Sequence, residues 1–115
     1  MYRFGDLPPE HVEAVRRGLG RIGLESWLPH PAFEFDGMTD CPEHDPLTGA
    51  MMTGPGGVHD LAYTLGSIVP DTAGGRALAD AVLYHLLLWV GASETTAEAI
   101  HTAVRLGAAS HFKRK

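Results

Sequence analysis

The sequence predicts a mostly α fold of about four helices, with a long irregular Pro/Gly-rich segment and at most a minor strand pair. Three observations lead there. Apolar residues recur at helical spacing near the N-terminus and again through residues 58–112, prolines and glycines crowd residues 25–57, and only five residues alternate as a strand does. At 115 residues the chain is sized for one core, and it reads as a single domain, 1–115.

The first helix is expected over residues 8–21, where Asp6 can cap, Pro8 and Pro9 suit a first turn, and Val12, Val15, Leu19 and Ile22 share a face. Residues 25–57 follow as an irregular acidic segment, with prolines at 29, 31, 42, 46 and 55 and glycines at 37, 49, 54, 56 and 57. Within it only Ala32-Phe33-Glu34-Phe35-Asp36 has strand alternation, and Trp27, Phe33 and Phe35 are its aromatic anchors. So long a connection in a compact domain points to function. Met51 and Met52 read as gap-filling core.

Residues 58–112 form a three-helix unit carrying the candidate site. Its first helix runs from Val58 through Leu61, Ala62 and Leu65 and stops in a turn from Ser67 to Gly75. The second, about Arg76 to Val90, is apolar almost all round, which makes it the most buried element, and Gly91 can end it. Ser93 caps the third, whose apolar face is Ala97, Ile100, Val104 and Ala108.

Composition narrows the function. Hydrophobic residues make up 44% and charged residues 20%, so disorder is not expected, and the single Cys41 rules out an internal disulfide. No Lys or Arg lies between Arg21 and Arg76, while Glu25, Glu34, Asp36, Asp40, Glu43, Asp45, Asp60 and Asp71 all do. An acidic centre repels phosphates and attracts cations, so no nucleic-acid partner is expected. The basic Lys113-Arg114-Lys115 tail reads as a solvated end. The N-terminus lacks the pattern of a signal peptide, so synthesis in the cytoplasm is expected. Asp80 and His85 interrupt the longest apolar stretch, and no membrane span is expected.

The chemistry centres on His59-Asp60-Leu61-Ala62-Tyr63. His59 and Tyr63 are four apart and share a helix face, with Asp60 about a quarter turn away. Asp80 sits among Ala79, Ala81, Val82 and Leu83, where an ionised carboxylate needs a partner, and antiparallel packing of the two helices would bring it against His59 and Tyr63. An Asp-His pair fixes the imidazole tautomer and supports its protonated form, as a general base acting on water requires.

The order His-Asp-x-x-Tyr, followed by a helix with Ala79-Asp80, resembles the core of secretory phospholipase A(2) enzymes and their viral capsid relatives. The resemblance implies His59 as the base that activates water, Asp60 as a calcium ligand, Asp80 as support for His59 and Tyr63 as a donor to Asp80. In length the chain is closer to a phage-encoded family of unknown function with a His-Asp-x-x-Tyr helix, an Ala-Asp helix and a last helix ending like Ala103-Val104-Arg105-Leu106-Gly107, a likeness covering roughly residues 36–112. Phospholipases place their glycine-rich calcium loop well upstream of the His, whereas Gly54-Pro55-Gly56-Gly57 here directly precedes the expected helix.

These resemblances imply a phage-type accessory protein that hydrolyses an ester of phospholipid, with calcium as cofactor. The alternative is a non-catalytic component of a phage-like virion or tail, with other phage structural proteins as partners. A further alternative is a small zinc protein, from the Cys-x-x-His spacing of Cys41 and His44 with His30 or His59. His44, His59-Asp60 and Asp80 also fit loosely the separated ligands of metal phosphohydrolases. His59 as a carboxylate's partner without chemistry is the remaining reading. His85, His101 and His111 read as surface or boundary residues.

Overall fold

The computed structural model describes residues 1–36, 42–64, 69–70 and 72–107, and the chain is mostly α, as its sequence predicts. Helix α1 spans Pro9–Arg21, α2 Thr53–Ala62, α3 Ala73–Trp89 and α4 Glu94–Leu106, with single 3-10 turns at Phe4–Asp6 and Glu25–Trp27. Strands β1 (Tyr2–Arg3) and β2 (Glu34–Phe35) pair antiparallel, Tyr2 opposite Phe35 and Arg3 opposite Glu34. The expected strand thus finds its partner in the first residues of the chain, whose two-residue strand is too short to alternate visibly.

Helix α3 lies between two apolar clusters. Ala79, Val82 and Leu86 face a group built from Phe4, Val15, Leu19, Trp27, Phe35 and Val58, while Leu83 and Leu87 face Met52, Ala97, Ile100 and Val104 of the second. An all-round apolar helix can satisfy both sides only at the centre of the domain. Its C-terminus closes as a Schellman turn: Ala92 N–H donates to Leu87 O at 3.0 Å and Gly91 N–H to Leu88 O at 3.1 Å. The turn requires the left-handed backbone that Gly91 adopts, φ 103°.

Several boundaries differ from the sequence reading. Asp6 does not cap α1; it belongs to the preceding 3-10 turn, and Pro8 holds the N-cap position. Helix α3 begins at Ala73, three residues before Arg76, because the Thr72 hydroxyl accepts the Gly75 N–H at 3.0 Å. Ser93 caps α4 as expected, accepting from Thr96 N–H at 3.1 Å. Leu65 and Ala108, read as helical, lie outside the described residues.

The largest correction concerns α2, which starts at Thr53 rather than after Gly57. The Gly-Pro-Gly-Gly stretch is helical and buried. Pro55 is tolerated in the first turn, where its missing N–H has no helical acceptor to lose. Gly54 lets two side chains of α1 seat against the α2 backbone: a Cβ there would lie 2.6 Å from His11 Nε2 and 2.7 Å from Val15 Cγ2.

Between β2 and α2, residues 42–52 are ordered around Asp45, which is 1% exposed. Its carboxylate accepts from Leu47 N–H (2.9 Å), the Thr48 hydroxyl (3.2 Å), Ser93 N–H (2.7 Å) and the Thr96 hydroxyl (2.7 Å). Burial pushes its pKa up, but these donors outweigh that and hold it well below the usual carboxylate range. A fixed negative charge at the α4 N-terminus also complements the helix dipole.

Candidate functional site

Helix α2 presents His59 and Tyr63 one turn apart, Tyr63 being the residue that ends it, with ring centroids 4.3 Å apart. Both face Asp80 at the middle of α3. His59 Nε2 lies 2.7 Å from Asp80 Oδ1, and the Tyr63 hydroxyl donates to the same oxygen at 2.5 Å. The second oxygen, Oδ2, accepts from Arg105 Nη1 of α4 at 2.8 Å. Three helices therefore converge on one carboxylate that has no solvent exposure at all.

The protonation states follow from this geometry. Burial raises the pKa of Asp80, yet hydrogen bonds from His59, Tyr63 and Arg105 overcome it, and the group ends below its ordinary value. An ionised carboxylate only accepts, so His59 donates to it through Nε2–H. Burial, followed by the hydrogen bond to Asp80 and its charge, pushes the Tyr63 pKa up and keeps that hydroxyl protonated. The charges of Arg105 and Arg76 act on Tyr63 in the opposite sense.

Among the described residues no buried side-chain nitrogen or oxygen lacks a hydrogen-bond partner. His59 Nδ1 makes no hydrogen bond there, so this edge of a ring only 5% exposed must border the surface. An imidazole clamped at Nε2 with its Nδ1 lone pair outward can take a proton from a water or hydroxyl placed beside it.

Arg105 is the site residue that the sequence reading missed, since no polar group beyond His59 and Tyr63 was expected to compensate Asp80. Its signal was scarcity. Between Arg21 and Lys113 the only basic residues other than histidines are Arg76 and Arg105, and Arg105 directly follows Val104 of the buried α4 face.

Asp60, the expected calcium ligand, is half-buried beside His59 and engages a partner of its own. The carbonyls of the Gly-Pro-Gly-Gly stretch lie within α2, so they do not form a calcium loop. Among the described residues no three His, Cys, Asp or Glu side chains converge as a metal-binding group. For the zinc alternative, His44 is exposed in an isolated bridge to Met51, and Cys41 lies outside the described residues. His85 Nε2 donates to Gly18 O at 2.9 Å, joining α3 to α1, and His101 packs edge-on against Tyr84; His111 lies outside the described residues. No described helix is long and apolar enough to cross a membrane.

Compared with known proteins, the chain matches no family model, no curated protein and no solved structure.

Proposed function

We propose that the protein is a phage-type accessory hydrolase of phospholipase A(2)-like chemistry, cleaving a carboxylic ester, with His59 as general base. The observation that carries this reading is the clamp on one side of the ring: Asp80 holds Nε2–H at 2.7 Å, and Nδ1 is left without a hydrogen bond among the described residues. In the reaction, Nδ1 takes a proton from water as the oxygen attacks the ester carbonyl. The C–O bond to the alcohol breaks, and the departing alkoxide receives that proton from the imidazolium. Asp80 orients the ring and offsets the transient positive charge, while Tyr63 holds the carboxylate in place. The proposed substrate is a phospholipid.

Calcium on Asp60 is a separable part of the proposal. Loss of turnover in EDTA, restored by calcium, supports it; turnover unchanged in EDTA removes calcium and leaves the base.

One observation favours a second reading. Arg105 already neutralises Asp80, so the cluster is complete as a buried ion network and could serve only to join helices in a structural component of a particle. Fatty-acid release from mixed phospholipid vesicles separates the two. His59→Gln is expected to lower that release on the order of 100-fold or more while the protein stays folded. Wild-type protein that releases no fatty acid, with His59→Gln melting markedly earlier, would leave the structural reading.

A further inference from the structure

Helix α2 has an unusual start. The residue at its N-cap position, Met52, offers no side-chain acceptor, although the N–H groups of a first turn need one. The acceptor comes from another helix: His11 Nε2 of α1 receives the Gly54 N–H at 2.9 Å, across 43 residues of sequence. Gly54 is the second residue of α2, the position whose N–H a capping side chain ordinarily takes. The imidazole is 8% exposed and pressed against the backbone, as the space around Gly54 shows.

A ring nitrogen accepts a hydrogen bond only while it carries no proton. Protonation of His11 would therefore set a donor against the Gly54 N–H and place a positive charge at the positive end of the α2 dipole. We propose that His11 is an acid-sensitive latch, a neutral imidazole that caps the helix carrying His59 and Tyr63 and releases its start when protonated.

The surroundings support this. Burial is the largest influence on His11 and lowers its pKa, electrostatic repulsion from His44 in the 42–52 segment lowers it further, and Glu10 on α1 raises it. The net direction is downward, so the cap is intact at neutral pH. No hydrogen bond or ring contact joins His44 to His11 among the described residues. The latch does not depend on the hydrolase reading, because it concerns only the seating of α2 on α1.

Amide hydrogen exchange of the intact protein from pH 7.5 to 5.0, expressed as protection factors, tests it. Protection at Gly54 and Gly56 is expected to fall by up to about 10-fold per pH unit once His11 begins to take its proton, the limit for one linked proton. His11→Gln places an amide oxygen near the position of Nε2 and does not titrate, so it should keep the protection and lose the pH dependence. If that variant fails to fold, nitrogen chemical shifts of the wild-type ring decide instead: at pH 7.5 His11 should show hydrogen on Nδ1 alone, with the Gly54 amide moving as the ring titrates. Unchanged protection down to pH 5.0, the same acid step in His11→Gln, or hydrogen on Nε2 at pH 7.5 would overturn the latch.

Discussion

Replacing Asp80 by Asn probes how much the three-helix cluster contributes to stability. The substitution keeps the shape and removes the charge. If the amide oxygen stays toward His59 and Tyr63, its NH2 group faces Arg105 Nη1, a donor against a donor, in place of a 2.8 Å ion pair. Hydrogen bonds to a charged group contribute about 1.5–3 kcal/mol and neutral ones about 1 kcal/mol, so the bonds from His59 and Tyr63 each weaken by about 1 kcal/mol. The Arg105 bond is lost, but its side chain is 38% exposed and can turn to water, which holds that loss to about 1 kcal/mol. The sum is about 3 kcal/mol, or about 12 °C in Tm at roughly 4 °C per kcal/mol for a domain of this size. Urea unfolding followed by circular dichroism measures it. A cost below about 0.5 kcal/mol, within the range of ordinary surface changes, would refute the claim that α2, α3 and α4 are held through this carboxylate.

Two further outcomes follow from the packing and the charges. Gly54→Ala should destabilise despite the better helix propensity of Ala, because overpacking typically costs about 1–3 kcal/mol while removing a helical glycine returns at most about 1 kcal/mol; urea unfolding gives the sign. The pH dependence of thermal unfolding should show two acid steps. His11 has a folded pKa below its unfolded value of roughly 6.5, so the unfolded chain binds that proton first and stability falls as pH drops below about 6.5. Asp45 and Asp80, also lowered on folding, contribute stability that is fully present above about 4 and is lost as pH falls toward their folded values. A melting temperature flat from pH 7 to 3 would contradict both assignments.

Much of this arrangement was legible in the sequence where one physical rule decides. The apolar faces of α1 and α4 show through 3.6-residue spacing, the central place of α3 shows through its lack of a polar face, and a carboxylate among apolar residues announces partners at Asp80. The start of α2 was hidden because Gly and Pro oppose helix locally, and their tolerance at Gly54 and Pro55 depends on α1 being packed against them. His11, Asp45 and Arg105 were hidden for a related reason. Each acts on a residue at least 25 positions away, and a local pattern carries no trace of such a partner.

The Asp80 cluster also bears on the route by which the chain folds. Its donors come from α2 on one side in sequence and α4 on the other, so docking α2 on α3 alone would bury the carboxylate without the Arg105 guanidinium that pairs with its second oxygen. An intermediate holding such a charge is costly, which opposes stopping at two helices and favours arrival of α4 in the same cooperative step. Asp80 thereby acts as a check on topology. A collapsed chain that seats α3 against the wrong neighbours strands the charge, whereas the native arrangement satisfies both of its oxygens.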